Sequence, residues 1–175
     1  LKGGDEFFWQ SQRSGFNHIY HYKKDGTLLN QITDGNWVVS GAASVDLDQG
    51  DVYFSANVNS VLERHLYKAK LNSSRLKNPI KISNEAGWHA VSFSPDGQSY
   101  IDYFSNPQTP PQVSIHAKDG KRLMWIEENK LEQGHPYFAF AKQHIDPEFG
   151  VIKNKNGDDL YYRMYKPANM KPGKK

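Results

Sequence analysis

The residues that offer chemistry in this chain are seven histidines and 19 aspartates and glutamates, because its 175 residues include no cysteine. The absence of cysteine excludes disulfides and thiolate metal sites. His18 and His21 are the closest histidine pair. A spacing of three residues along a strand points the two side chains to opposite faces. With no His-Glu-x-x-His pattern present, the sequence predicts no metal site and no cofactor.

An acidic cluster, Asp46, Asp48 and Asp51, has a weak resemblance in spacing to a calcium-binding loop. Such a loop also needs a correctly placed glutamate, and this one has none. The cluster lies between Val45 and Val52. We therefore predict an ordinary acidic turn between two strands.

A serine nucleophile of a hydrolase sits on a Gly-x-Ser-x-Gly elbow, and the chain contains no such motif. Ser94 precedes a Pro-Asp-Gly turn with no placed base. Glu127 and Glu128 diverge if they lie on a helix, which predicts a solvated face. Asn72 begins an Asn-Ser-Ser acceptor for N-linked glycans, which has meaning only in a secretory setting. The sequence thus predicts no catalytic and no substrate-binding residue.

Residues 88–103 show the element that recurs along the chain. Val91 and Phe93, then Ile101 and Tyr103, alternate with more polar residues, as expected for two strands with one apolar face. Pro-Asp-Gly at 95–97 is a strong turn between them. The region therefore predicts an antiparallel hairpin.

The hairpin pattern repeats with a regular spacing. Trp37 and Trp88 are 51 residues apart, and His18, His65 and Gln112 follow one another at intervals of 47. Repeats of about 40–50 residues with four short strands are typical of β-propeller blades. We therefore predict an all-β fold, a partial β-propeller of about three four-stranded antiparallel blades. Large aromatic residues are expected to fill the gaps between blades: Trp37, Phe54, Trp88 and Phe93.

The pattern changes near residue 126. Residues 127–133 are predicted to hold a short helix, ended by Gly134 and Pro136. We assign residues 1–146 to the blades, with a connector from about residue 126. Residues 147–175, with an Asn-Gly turn at 156–157, are assigned to the first hairpin of another domain.

Composition excludes several classes of function. Hydrophobic residues make up 37%, aromatic residues 13% and charged residues 23% of the chain, and the net charge is only +3. Scattered lysines do not form the basic face that nucleic acid requires. No apolar run approaches the roughly 18–20 residues of a membrane span, and no signal peptide is visible.

Several segments in order resemble the late blades of the dipeptidyl peptidase IV family. They are Phe-Trp-Gln-Ser at 8–11, residues 15–20, residues 32–39, Glu-Arg-His-Leu-Tyr at 63–67, and Phe-Ser-Pro-Asp-Gly at 93–97. The tail, residues 165–175, is similar to the lead-in to that family's α/β-hydrolase domain. The resemblance covers nearly the whole chain and implies that it is a fragment of a longer protein.

The resemblance implies a parent serine exopeptidase that removes N-terminal dipeptides after proline or alanine. A Ser-Asp-His triad in the α/β-hydrolase domain performs the acyl transfer, while the propeller gates access. The family's paired glutamates lie before this segment, and its triad and oxyanion tyrosine lie beyond it. No catalytic or substrate-binding residue is therefore carried over, and the segment alone is predicted to be structural, gating and inactive.

The resemblance further implies an extracytoplasmic parent whose partners are a peptide substrate and its own hydrolase domain. Open sheet edges predict a homodimer or aggregation of the isolated chain. Two alternatives stay open. One is a non-enzymatic binding or scaffold propeller, and the other is a sibling acylaminoacyl or oligopeptidase specificity.

Overall fold

A computed structural model of the protein describes residues 2–167. Within that range the chain forms strands with two short 3₁₀ segments, Lys2–Gly4 and Phe138–Gln143, and no helix there is long and apolar enough to cross a membrane. The strands are Glu6–Ser11 (β1), His18–Lys23 (β2), Leu28–Gln31 (β3), Val39–Asp46 (β4), Asp51–Ala56 (β5), His65–Lys70 (β6), Ile80–Lys81 (β7), Trp88–Phe93 (β8), Ser99–Asn106 (β9), Thr109–Ala117 (β10), Arg122–Glu127 (β11), Glu148–Lys153 (β12) and Asp159–Met164 (β13).

Three antiparallel sheets form the blades, in the order β1-β2-β3, β4-β5-β6-β7 and β11-β10-β9-β8. We refer to them as the first, second and third blades. This all-β arrangement confirms the predicted partial propeller. The first blade has three strands in the described part of the chain. Gly3 and Gly4, at φ of 72° and 74°, give the residues before β1 a left-handed turn instead of a strand.

The second blade has buried side chains on both faces, because successive residues of a strand point in opposite directions. Phe54 and Tyr67 face the first blade, and Tyr53 and Leu66 face the third. The first interface is the apolar cluster Ile19, Ile32, Trp37, Val39, Val52, Phe54, Ala56, Tyr67 and Ala69. The second interface has a smaller apolar cluster, Tyr53, Leu66, Ile82 and Tyr100, with Ala43, Val91 and Phe93 packed against it.

The predicted aromatic packing is confirmed at three of its four positions. Trp37 is 6% exposed and stacks on Phe54 with ring centroids 6.3 Å apart. Phe93 contacts Tyr53 across the second interface at 5.1 Å. The prediction is wrong for Trp88, which is 49% exposed. His89, the next residue along β8, points into the second interface. Because successive residues of a strand point to opposite faces, the side chain of Trp88 points away from that interface.

A glycine allows the turn between β10 and β11 to approach the second blade. Gly120 has φ of +97°, and a Cβ atom there would lie 2.6 Å from the backbone oxygen of Ile82. Any side chain would therefore collide with the second blade as well as strain the turn.

Compact packing divides the chain into two units, residues 1–106 with 111–128, and residues 107–110 with 129–175. The blades belong to the first unit. The second contains the Phe138–Gln143 segment and the β12–β13 hairpin, in which Phe149 lies opposite Arg163. Residues 168–175, which belong to the tail predicted to lead into a further domain, lie outside the described residues.

The predicted helix at 127–133 is wrong. Glu127 ends β11 and is paired with Val113, so the chain is still extended there. Asn129 has φ of 47°, a left-handed conformation that does not continue an α-helix. The helical turn forms later, at Phe138–Gln143.

Candidate functional site

Histidines begin the second-to-last strand in each of the first two blades, His18 in β2 and His65 in β6. In the first blade, Nδ1 of His18 lies 3.1 Å from Oγ1 of Thr33, and Nε2 lies 3.0 Å from the carbonyl oxygen of Gly35. The Thr33 oxygen also accepts the backbone N–H of Ile19 at 3.0 Å. The imidazole thus ties the start of β2 to the segment that follows β3.

The second blade repeats this contact with a carboxylate added. Nδ1 of His65 lies 2.9 Å from Oγ of Ser83, and Nε2 lies 2.7 Å from Oε2 of Glu63. The Ser83 oxygen accepts the backbone N–H of Leu66 at 3.0 Å. Since an ionised carboxylate can only accept, Nε2 donates to Glu63 and Nδ1 accepts the Ser83 hydroxyl proton in the neutral ring.

In the third blade, a glutamine occupies the position of these histidines. Gln112, 47 residues after His65, donates from Nε2 to the carbonyl oxygen of Glu128 at 2.6 Å. In the three blades, the residue at this position therefore contacts a partner that lies 15, 18 and 16 residues further along the chain. We call these three contacts the blade clasps, His18–Thr33, His65–Ser83 and Gln112–Glu128.

The order Glu63–His65–Ser83 is that of a carboxylate, a base and a hydroxyl nucleophile. Its surroundings do not suit nucleophilic catalysis. Ser83 is 5% exposed and already accepts a backbone N–H. Burial lowers the pKa of His65 below its ordinary value, with the nearby Lys81 and His89 acting in the same direction. The recurrence of the contact in the first blade, with threonine and no carboxylate, indicates a structural clasp.

A second buried polar group lies beside His65. The rings of His65 and His89 are 5.1 Å apart. Nδ1 of His89 lies 2.6 Å from Oδ2 of Asp102, and Nε2 lies 2.8 Å from the carbonyl oxygen of Glu85. Both ring nitrogens therefore face acceptors. The imidazole therefore bridges β9 to the segment that precedes β8.

A cavity of about 290 Å³ opens next to this pair, within the first unit. Its lining changes from buried to exposed residues, which defines a floor and a mouth. The floor consists of Ser83, His89, Asp102, Phe104 and Ser114, the sides of His116, Gly120 and Trp125, and the mouth of Asn84, Glu85, Lys121 and Arg122. We call it the third-blade cavity. A cleft with apolar walls and a few polar groups is the kind of site that can hold a small molecule.

The floor contains an unusual oxygen. Asp102 is 3% exposed, and its Oδ1 atom has no hydrogen-bond partner. Beside it, Oγ of Ser114 lies 2.8 Å from Nε2 of His116. Tyr100 stacks on His116, and burial strongly raises the pKa of the Tyr100 phenol, which keeps that group neutral. A buried carboxylate oxygen without a partner costs free energy relative to a paired one.

Two of the seven histidines, His89 and His116, line this cavity, but the residues singled out from the sequence do not. His21 pairs with Glu6 at 2.9 Å within the first blade. Ser94 donates to Asp96 at 2.6 Å inside its own turn, and this hydrogen bond holds the pKa of Asp96 below its usual value. Asn72 lies in an exposed turn. These side chains do not form one site.

Lysines pair with two of the three residues of the acidic cluster. Asp46 accepts from Lys118 at 2.7 Å, and this hydrogen bond lowers the pKa of Asp46. Asp51 pairs with Lys70 at 2.7 Å and with Lys68 at 3.3 Å. Among residues 2–167, no three histidine or acidic side chains are grouped so as to hold a metal ion.

Sequence reasoning missed the His89–Asp102 pair and the role of Ser83. The interval of 47 residues already placed His18, His65 and Gln112 at one position of the repeat. A search for hydroxyl or carbonyl partners 15–18 residues further on would have found the clasps. No comparable signal marks Asp102, because its partner lies on the neighbouring strand β8.

Comparison with known proteins identifies the family to which these blades are similar. Residues 1–111 match the family described as dipeptidyl peptidase IV (DPP IV) N-terminal region. Dipeptidyl peptidase 4 of Trichophyton rubrum is 28% identical over 175 residues, which cover 98% of this chain and 22% of that protein. Probable dipeptidyl-aminopeptidase B of Metarhizium robertsii is 29% identical over 165 residues, covering 92% of this chain and 18% of its own length.

A solved structure shows the same similarity. The crystal structure of Porphyromonas gingivalis dipeptidyl peptidase 4 superposes with a TM-score of 0.82 and 28% sequence identity, covering 98% of this chain and 24% of that one. The chain thus spans about a fifth of the length of the curated relatives it matches. The family match extends over more than half of the chain, and the resemblance noted from the sequence is confirmed. This chain belongs to the dipeptidyl peptidase IV N-terminal region family.

Proposed function

We propose that this chain is the propeller portion of a serine exopeptidase that removes N-terminal X-Pro and X-Ala dipeptides. The observation that carries the proposal is the superposition of nearly the whole chain on one dipeptidyl peptidase 4. In this role the blades are walls of the chamber that leads to a separate α/β-hydrolase domain, and they limit substrates by size.

The blade clasps support a structural role. Ser83 and Thr33, the hydroxyl groups in contact with histidine there, are buried and hold backbone N–H groups. A nucleophile must instead be reachable by a carbonyl carbon and face an oxyanion site. These side chains stabilise strand ends and do not attack a substrate.

The experiment compares this chain with the full-length parent on Gly-Pro-p-nitroanilide, with Gly-Gly-p-nitroanilide as the specificity control. The full-length protein is expected to release p-nitroaniline from the proline substrate, and the chain alone is expected to release none. Turnover by the chain alone would contradict the structural role. A full-length protein without activity would favour the binding propeller.

A substitution in the full-length protein tests whether His65 is a base. His65→Gln copies the residue of the third-blade clasp and is expected to leave kcat within about twofold of the parent. Removal of the general base of a serine peptidase lowers kcat by about 10⁴-fold or more. A loss of that size in a variant with an unchanged melting temperature would overturn the assignment.

Gating has its own test. The full-length protein should cleave a short X-Pro peptide and spare a folded protein that presents the same N-terminal dipeptide. We also propose that the parent is extracytoplasmic and that the isolated chain dimerises or aggregates through its open sheet edges. Cell fractionation of the full-length protein tests the first point, and a cytosolic parent would contradict it. Light scattering of the isolated chain tests the second, and a clean monomer at high concentration would contradict it.

A further inference from the structure

The mouth of the third-blade cavity carries a net positive charge. Lys121 and Arg122 each contribute one positive charge, and Glu85 contributes one negative charge. All three are exposed residues of the cavity lining, so molecules in solution reach their side chains directly. In the described part of the chain, the ammonium group of Lys121 has no ion-pair partner. A mouth with two cations and one anion favours a ligand that has a single negative charge.

Arg122 is the member of this group best suited to bind an anion. Its guanidinium carbon lies 4.1 Å from the centroid of the Trp125 ring, a stacking contact that restricts the orientation of the guanidinium plane. Its present partner is Oε1 of Glu85, at 3.4 Å from Nη1. A contact of this length between exposed groups is weak, whereas a free carboxylate can accept two parallel N–H donors from one guanidinium. An incoming carboxylate can therefore replace Glu85.

The interior of the cavity suits the apolar part of such a ligand. Its volume of about 290 Å³ lies at the lower end of small-molecule sites, and the rings of Trp125 and Phe104 form part of its lining. The buried Asp102 places a carboxylate at the floor, in contact with His89 at 2.6 Å. Because like charges repel, a bound anion keeps its charged group at the mouth and directs its apolar part inward. An aromatic ring there can pack against Trp125.

We infer that the third-blade cavity binds a small organic monocarboxylate with an apolar body. The carboxylate accepts N–H donors of Arg122 and contacts the ammonium group of Lys121, and the apolar body packs against Trp125. This site belongs to the blades alone and does not depend on the peptidase activity proposed above. Inorganic phosphate shares the negative charge but has no apolar body, so binding experiments must separate these two kinds of anion.

The first experiment titrates phenylacetate into this chain and follows binding by isothermal calorimetry or ligand-observed NMR. A ligand of about ten heavy atoms at ordinary efficiency gives a Kd of about 1 mM. Phenylacetamide has nearly the same shape without the charge, and inorganic phosphate has a charge without the ring. Each is expected to bind at least about fivefold more weakly than phenylacetate.

Two exposed residues at the mouth give variants that need not disturb the core. Arg122→Gln should weaken phenylacetate binding about fivefold, and Arg122→Lys, which keeps the charge but not the two parallel donors, about twofold. Glu85→Gln releases Arg122 from its present partner and should tighten binding about two- to fivefold. The control is Arg163→Gln, because Arg163 also lies over an aromatic ring, that of Tyr165, but outside the cavity. That control should leave the Kd unchanged.

Several outcomes would overturn the site. They are no binding of phenylacetate up to about 10 mM, equal binding of phenylacetamide, and a Kd that Arg122→Gln and Glu85→Gln both leave unchanged. Inorganic phosphate binding as tightly as phenylacetate would overturn the need for an apolar body. Because binding is measured on this chain without any substrate turnover, inactivity of the full-length protein toward Gly-Pro-p-nitroanilide would contradict the proposed function alone.

Discussion

The two interfaces between blades use different chemistry, although both involve the second blade. The first is sealed by apolar side chains, with Phe54 and Val52 fully buried. The second has a smaller apolar cluster and adds the buried carboxylate–imidazole pair of Asp102 and His89. It also contains the third-blade cavity.

The two interfaces keep their geometry by different means. Apolar contact is non-directional and depends mainly on filled volume. Buried hydrogen bonds depend on the angle and identity of both partners, and a missing partner costs more than the bond contributes. The first interface should therefore respond to changes in volume, and the second to changes in charge and pairing.

Removal of volume from the first interface is expected to have the largest effect. Phe54→Ala should lower the free energy of unfolding by about 3–5 kcal/mol, because it empties the space between Trp37 and Tyr67. Urea denaturation followed by tryptophan fluorescence measures the loss. Phe93→Ala, at the partly exposed edge of the second interface, should lose less. Equal losses of unfolding free energy in the two variants would show that the two interfaces do not differ in their sensitivity to volume.

Breaking the buried pair should be nearly as costly. Asp102→Ala leaves His89 without its carboxylate and should destabilise the chain by about 3 kcal/mol. Urea denaturation again measures it. The double substitution His89→Leu with Asp102→Leu should recover most of the loss, because an apolar pair needs no proton and no partner. A double variant as unstable as the sum of the single changes would contradict the pairing argument.

The close approach at Gly120 predicts an intermediate effect. Gly120→Ala should cost about 2 kcal/mol, since the new Cβ meets the Ile82 backbone oxygen and φ is +97°. Gly26→Ala is the matched control, with φ of +88° and no atom within 4 Å of the added Cβ. It should cost about 1 kcal/mol by strain alone. The melting temperatures of the two variants give the comparison, and equal shifts would show that the contact contributes nothing.

The pH dependence from His65 is the smallest expected effect. Burial lowers the pKa of His65 in the folded chain below the unfolded value of about 6.5. The unfolded chain therefore takes up the proton first, so this contribution is complete above pH ~6.5 and is lost as the pH falls toward the folded pKa. Stability should rise between pH ~5 and ~7, and His65→Gln should flatten the rise. An unchanged slope in that variant would assign the dependence to other groups.

Much of the fold could be predicted from local pattern. Alternation in residues 88–103, the Pro-Asp-Gly turn and the interval of 47 residues predicted strands, turns and blades that the structure confirms. The short helix at 127–133 was predicted from glutamates, a glycine and a proline, which are weak signals. Pairing of Glu127 with Val113 on the neighbouring strand prevailed over them.

The site could be predicted only in part. The sequence supplied His65 and its repeat position, but not the choice between Ser83 and other hydroxyl groups as its partner. It could not decide that Trp88 is exposed while Trp37 is buried, because that depends on which face of each strand meets a neighbouring blade.

What the sequence determined by itself is therefore the repeating unit. Alternating residues and turn-forming residues act over a few positions and specify strands without any distant contact. Tertiary structure alone decided that Asp102 meets His89, that Gly120 touches Ile82, and that a cavity opens beside them. The physical reason is that burial and hydrogen bonding depend on distances in space, and residues separated by tens of positions come together only when the blades pack.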